Sequence, residues 1–444
     1  MSKLALLGGK PTIAAETSPD MFHWPIVTKE MEDAVLEVLR DGNMSGTDIT
    51  KKFEAEFAAW QGSKYALAHS SGTAALQGAM YGIGLGPGDE MICPSLTYWA
   101  SAVPALSLGA SVVFADIDPE TLCLCPKSFE AHITPRTKAV MVVHYTAMPA
   151  DMDGIMAVAR KHNIKVIEDV SHAQGGLYKG RMLGTIGDVG ACSLMSGKSF
   201  AVGEGGILYT DNLEIYERAI LWGHHDRHSL VREETKTGAG GLPWGGYKYR
   251  MHQLSSVMGR EQLKKYPVEM AEIDRAMKYF WSLLDGLPGI RWCHPKDEGS
   301  TKAGWYASRA FYDSEALQGL SINRFIEALW AEGVHHCGAG GNRPLHKHPL
   351  FYSIDIYGHG KPTARVYLPD DVDPRALTGE LPETERINGR IWGEPWFKHY
   401  RPEEIRPYAE AIRKVLENYE ELLPGDQWQQ DKVTGNWALT RRRE

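Results

Sequence analysis

Cys192-Ser193-Leu194-Met195-Ser196-Gly197-Lys198-Ser199-Phe200-Ala201-Val202-Gly203-Glu204-Gly205-Gly206 sets a lysine between an apolar strand and a glycine-rich turn, and Ile207-Leu208-Tyr209-Thr210 comes next as another strand. That is an unusual place for a solvated charge. Desolvation lowers the pKa of an amine, which a lysine needs before it can condense with a carbonyl. A surface lysine in a loop fits the same letters, so the reading depends on what the rest of the chain sets beside Lys198.

Upstream, short apolar runs alternate with turn residues and amphipathic segments. Tyr65–Ala68, Ser111–Ala115, Ala139–Val143 and Val166–Asp169 read as buried strands. The pattern predicts an α/β fold with a mostly parallel sheet covered by helices. Ligands of such sheets gather at the carboxyl ends of the strands, so the polar residues that close each run carry the most information.

Two of those closures stand out. Ser70-Ser71-Gly72-Thr73-Ala74-Ala75-Leu76 follows a strand and opens a helix, and small residues there expose backbone N–H groups to an anion at the positive end of the helix dipole. Many strand-to-helix turns look like this, so alone it names no ligand. Glu168-Asp169 ends another strand with His172 three residues on; the carboxylate can hold a heteroaromatic nitrogen protonated or cap the next helix.

After about Pro267 the character changes. A helical stretch from Met270 to Leu284, glycine and proline breaks, and the helical segment Ser321–Glu332 predict a second lobe, with Arg401–Leu423 as a terminal helix packing on it. The expected division is a large domain over 1–266 including an N-terminal arm, a smaller C-terminal α+β domain over 267–425, and a tail over 426–444.

Composition narrows the function classes. The 444 residues exceed what one simple core usually holds, and 43% are hydrophobic. Lys plus Arg number 48 against 56 Asp plus Glu, a formal charge of -8, so no broad basic field is available for nucleic acid. The run Arg441, Arg442, Arg443 reads as a solvated tail. No stretch approaches the roughly 18 apolar residues of a membrane span, and the expected setting is cytoplasmic. The 6 cysteines contain no CxxC pair, against a disulfide framework or structural zinc. Histidines 224, 225 and 228, 335 and 336, and 346 and 348 fit no helical zinc spacing, so no metal is expected; they read instead as partners for a polyhydroxylated substrate, together with Asn342 and Arg343.

The Ser-Gly-Thr turn, the Asp and the Lys, in this order on one sheet edge, make a site for phosphate, pyridinium and aldehyde. In these motifs the chain resembles the DegT/DnrJ/EryC1/StrS family, the sugar and cyclitol aminotransferases of fold type I, from the opening Leu-Leu-Gly-Gly-Lys-Pro to the terminal helix. The resemblance implies a seven-stranded, mostly parallel sheet with a smaller C-terminal domain, pyridoxal 5'-phosphate (PLP) as cofactor, and a homodimer with shared active sites. It implies Lys198 as the Schiff-base and proton-moving residue and Asp169 as the partner of the pyridine nitrogen. It further implies Gly72, Thr73 and Ser193 at the phosphate, Tyr98 over the ring and His172 at the phenolic oxygen. The activity implied is transfer of an amino group from glutamate or glutamine to a keto sugar or keto cyclitol.

Departures from the family pattern point to the substrate side. His144-Tyr145-Thr146-Ala147-Met148-Pro149 replaces the usual His-Leu-Tyr-Gly before Pro, marking His144 and Tyr145 as substrate-facing with His225, Arg250, Asn342 and Arg343. Gly246-Tyr247-Lys248-Tyr249-Arg250-Met251 carries Lys248 where relatives have an asparagine that reaches the partner's phosphate, and a lysine there acts as a point charge. Dehydratase relatives replace the lysine by histidine, which Lys198 argues against. A non-catalytic PLP-binding regulator retains the same motifs, whereas a nucleotide-binding protein without PLP lacks its G-x-G-x-x-G or P-loop signature here.

Overall fold

The computed structural model describes residues 3–14, 17–238 and 241–427. The arginine run and all of the expected tail beyond residue 427 lie outside the described residues.

Strands β1 (Tyr65–His69), β2 (Glu90–Pro94), β3 (Ser111–Ala115), β4 (Thr137–Val143) and β5 (Lys165–Asp169) are succeeded by a small hairpin of β6 (Leu177–Tyr178) and β7 (Arg181–Met182), then by β8 (Val189–Ser193) and β9 (Gly206–Thr210). The main sheet has seven strands in the order β1-β9-β8-β5-β4-β2-β3. Only β9 runs against its neighbours β1 and β8; the remaining pairs are parallel. The continuous apolar runs result from this arrangement, because β2, β3 and β9 are buried along their whole length between helical layers.

A second sheet is built from β10 (Ile290–Trp292), β11 (Arg309–Tyr312), β12 (Gly338–Ala339) and β13 (Ile391–Gly393), antiparallel in the order β10-β11-β13-β12. The helices Ile322–Ala331 and Pro402–Glu417 belong to this C-terminal region. Ile405, Tyr408, Ile412, Val415 and Leu416 are buried at helical spacing, so the terminal helix packs through the stripe read from the sequence. It ends earlier than expected, giving way to a 3-10 segment over Tyr419–Gly425.

Two boundaries differ from expectation. The helix expected from Met270 begins at Gln253 and runs 30 residues to Ser282, started by His252, whose Nδ1 accepts the Leu254 N–H at 3.2 Å. Pro267 sits inside it and removes only the helical donor to the Leu263 carbonyl, which a long packed helix tolerates. The division expected at 266 therefore falls within one helix. The arm also belongs spatially to the C-terminal unit: the Ile13 N–H reaches the Glu332 carbonyl at 3.0 Å, Thr17 shares a 2.7 Å hydrogen bond with Tyr408, and the Lys398 N–H reaches the Met21 carbonyl at 2.9 Å. Among the described residues no helix is long and apolar enough to cross a membrane.

Candidate active site

The carboxyl ends of β1, β5 and β8 lie at one edge of the large sheet with the start of β9, as the pairings His69 with Gly206 and Ser193 with Gly206 require. Asp169 closes β5 and is 4% exposed. Ser101 Oγ donates to its Oδ2 at 2.8 Å, and the Ser171 N–H donates to its Oδ1 at 3.0 Å. Thr97 and Ser101 share a 2.9 Å hydrogen bond behind it. Among the described residues no ion pair reaches Asp169, so it is a buried carboxylate whose side chain accepts two hydrogen bonds, with Lys198 near enough to feel its charge. Such a group suits a cationic N–H donor.

Beside it, the helix Gly72–Gly82 starts where the chain passes very close to β8. A Cβ at Gly72 would lie 2.5 Å from the Ser193 Cβ, which is why glycine stands there. Ser71 caps the helix, its Oγ accepting from the Ala74 N–H at 3.1 Å, and Thr73 lies in the first turn, part-exposed. The Gly72 and Thr73 N–H groups, which make no hydrogen bond among the described residues, form with Ser193 a cradle that suits a phosphate. The Ser70 N–H donates to the Tyr249 carbonyl at 2.7 Å, which lays the segment 247–250 along the same edge. Arg250 bridges to His69 on that side and approaches Asp226 at 4.0 Å, while Lys248 is exposed.

Lys198 is 7% exposed, and burial pulls its amine down to about 8 against the opposing charge of Asp169. Its Nζ lies 4.2 Å from the centre of the Tyr306 ring, and its carbonyl accepts the Trp24 indole N–H at 2.7 Å. His172 accepts the Thr146 N–H at Nδ1 over 3.3 Å and meets the edge of Tyr306 at 4.9 Å. Burial, reinforced by the Lys198 charge, pushes this imidazole well below its usual value, so it is neutral at pH 7. Tyr306 is held between Trp305 and Ala307, at φ 52° and 50°, a left-handed conformation that such residues rarely adopt. Tyr98 is half-buried and packs on Trp99 with ring centres 5.0 Å apart.

The expected substrate residues divide. Tyr145 and Asn342 come together: the phenol donates to Asn342 Oδ1 at 2.7 Å and accepts the Asn342 N–H at 3.1 Å, with the Tyr145 ring 5.5 Å from His172. His225 is exposed on the 3-10 turn His225–Leu230, and Arg343 is exposed one residue beyond Asn342. His144 departs from expectation. It is fully buried, with Nε2 3.0 Å from Glu168 and Nδ1 accepting the Ala150 N–H at 3.1 Å. Both ring nitrogens are spent inside the sheet, because Glu168 organises the loop after β7 by accepting N–H groups from Gly184, Ile186 and Gly187. His346 is likewise engaged, with Ser95 at 2.6 Å and Glu385 at 3.1 Å.

Three residues escape a reading of the sequence: Ser101, Trp24 and Tyr306. Thr97 and Ser101 at i,i+4 spacing, one turn beyond a strand end, are a signal for the first. Nothing local in Gly304-Trp305-Tyr306-Ala307 marks it as facing Lys198, since that contact joins two lobes.

Residues 25–367 match the sequence profile of the DegT/DnrJ/EryC1/StrS aminotransferase family. The chain is 31% identical over 422 residues to the L-glutamine:2-deoxy-scyllo-inosose aminotransferase of Streptoalloteichus tenebrarius, covering 90% of this chain and 95% of that protein. It is 35% identical over 335 residues to the spore coat polysaccharide biosynthesis protein SpsC of Bacillus subtilis, covering 74% of this chain and 84% of that protein. The X-ray structure of an aminotransferase from Psychrobacter cryohalolentis superposes with a TM-score of 0.76 at 29% identity, covering 90% of this chain and 99% of that one. The mostly parallel seven-stranded sheet with a small C-terminal sheet and helix region is thus the fold type I architecture expected from the sequence.

Proposed function

Because the chain belongs to the DegT/DnrJ/EryC1/StrS aminotransferase family, we propose that it is a PLP enzyme that moves an amino group from glutamate or glutamine to a keto sugar or keto cyclitol. The observation that carries this reading is the pairing of an ion-pair-free buried carboxylate, Asp169, with a buried amine of lowered pKa, Lys198, at the edge that also holds the Gly72 cradle. The residues fit the cofactor: Asp169 suits the pyridine nitrogen, the first helical turn with Thr73 and Ser193 suits the phosphate, and Lys198 suits the aldehyde. When bound, PLP supplies an electron sink for the α-carbon of the substrate amine.

The chain's own residues do the rest. Asp169 keeps a proton on the heteroaromatic nitrogen, and Ser101 and the Ser171 N–H fix the carboxylate. Lys198 Nζ takes the proton from one carbon and returns it to the other, and the Tyr306 face holds that amine in place. Neutral His172 is a hydrogen-bonding partner for a phenolic oxygen, not a charge. Tyr145 and Asn342, already joined, offer a polar wall to a hydroxylated ring, and the inosose substrate in the name of the S. tenebrarius relative supports that substrate class.

The active unit in this reading is a homodimer, with Lys248 of one subunit serving the phosphate side of the other and His225, Arg250 and Arg343 completing the substrate pocket. A cytoplasmic setting fits the six free cysteines. The test is spectroscopic. The purified protein should absorb in the visible, and the band should bleach with glutamine or glutamate and return with a keto inosose. A stable band that no amino donor bleaches identifies a PLP-binding regulator instead.

A further inference from the structure

The C-terminal unit contains a second chamber that none of this chemistry uses. It has a volume of about 380 Å³ and is lined by Phe22, Arg309, His335, His336, Trp396 and Lys398 among others. Lys398 is 2% exposed. Its ammonium lies against the face of Trp396 and 5.5 Å from the Trp24 ring, and among the described residues its Nζ makes no hydrogen bond or ion pair. A buried lysine in such surroundings is costly as a cation unless an anion meets it.

Arg309 is the second cation. Its Nε donates to the Gly340 carbonyl at 2.8 Å and its Nη1 to the Ala307 and Ser308 carbonyls at 2.9 Å. Among the described residues Nη2 has no hydrogen bond and the guanidinium no carboxylate. Glu394 is the acidic group on the wall, and both of its oxygens are taken by Trp281 and Ser308. Burial raises the pKa of that carboxyl and lowers the Lys398 amine well below its usual range, the direction expected of groups without mutual pairing.

We propose that this chamber is a binding site for a small carboxylate, held between the Lys398 ammonium and the free edge of Arg309. One ammonium and one remaining guanidinium nitrogen match the two oxygens of a carboxylate. The bidentate fork that favours phosphate is unavailable, because the other guanidinium donors are committed to backbone carbonyls, and Glu394 opposes a second charge on the same headgroup. The apolar faces of Phe22 and Trp396 accommodate an acyl chain beside the charged end.

The chamber is one aromatic layer from the catalytic lysine. Trp24, under Lys398, donates its indole N–H to the Lys198 carbonyl, and Trp396 meets Tyr306 edge to face at 5.8 Å while Tyr306 carries Lys198 Nζ. The carboxylate has two sources, the amino donor itself or a separate acid that tunes the lysine.

Calorimetry on the holoenzyme decides, with glutarate as probe because it has neither an amino nor a keto group. We expect saturable binding that takes up a proton at about pH 8, so that the observed enthalpy varies with the ionisation enthalpy of the buffer. Arg309, His335, His336 and Glu394 face the same space, so the proton is assigned by variants. Lys398→Met and Lys398→Gln should weaken glutarate at least about tenfold and abolish the uptake. Both should keep the cofactor absorption and melt no lower than wild type, since a buried amine without a hydrogen-bond partner among the described residues has been removed. Wild-type affinity in either folded variant, no saturable binding, or tighter binding of inorganic phosphate than of glutarate overturns the proposal. Competition between glutarate and the amino donor in steady-state kinetics assigns the site to the donor; non-competitive inhibition assigns it to a separate acid.

Discussion

Ser101 Oγ donates to Asp169 Oδ2 at 2.8 Å, and this hydrogen bond fixes the buried carboxylate without neutralising it. Each half of the pair has its own expected phenotype. Asp169→Asn should lower the rate of the amino-donor half-reaction by several orders of magnitude, in line with roughly 4 kcal/mol for a buried charge-assisted contact. Ser101→Ala should lower it roughly tenfold, the size of one hydrogen bond to a charged group. Stopped-flow bleaching of the cofactor band measures both, and near-normal turnover in Asp169→Asn means that another group protonates the ring.

Lys198 should carry the label after borohydride reduction and peptide mapping, and a label on any other lysine rejects the assignment. Its burial also makes a prediction about stability. In the cofactor-free protein the amine titrates at about 8 instead of 10.5. Below about pH 8 the folded and unfolded chains both hold the proton, and the folded state bears the full cost of a buried ammonium. Between about 8 and 10.5 only the unfolded chain binds it, so stability rises with pH. Apo Lys198→Met should thus be more stable than apo wild type at pH 7, by up to about 3 kcal/mol. The gap should close as pH rises through that window; a gap that widens with pH contradicts the burial argument.

Tyr306→Ala should slow the half-reaction roughly tenfold by freeing the lysine amine, whereas Tyr306→Phe, which keeps the ring face, should stay within about threefold of wild type. Equal losses in the two variants would assign the effect to the phenol oxygen instead.

Gly72→Ala forces a methyl group to 2.5 Å from the Ser193 Cβ. It should cost about 1–3 kcal/mol of stability and speed cofactor release, since the helix start moves away from β8. Thermal melts with and without added PLP, together with the release rate, test both parts.

Mixing inactive Lys198→Ala subunits with impaired Lys248→Ala subunits should restore activity if each site draws Lys198 from one chain and Lys248 from the other, because a heterodimer then holds one intact site. No recovery despite proven subunit exchange places both lysines in the same subunit's site.

The strands, the Gly72 turn and Asp169 are legible in the sequence because each is a local pattern: an apolar run closed by a residue whose type is restricted by the turn or helix next to it. Ser111–Ala115 agrees with the structure to the residue. His144 defeats the same reasoning, because its partner Glu168 comes from a neighbouring strand. No spacing rule reveals that a buried carboxylate there takes both the imidazole and three backbone N–H groups. Tyr306, Trp24 and Lys398 meet only after the arm and the C-terminal unit have packed together. Their functions depend on which aromatic faces end up adjacent, and that information is distributed over the whole chain.

The helix Gln253–Ser282 limits how the protein can be dissected. Its buried residues run from Gln253 and Ser256 to Phe280 and Trp281, so one uninterrupted rod serves the cores of both lobes, and the arm is bonded to the far one. A gene fragment that stops at residue 266 would sever this rod mid-length and strip the arm of its anchorage. Such a truncate should be recovered only as aggregate, whereas co-expression of a nicked pair cut at the exposed Gly358–Gly360 stretch should yield a soluble, reassembled enzyme.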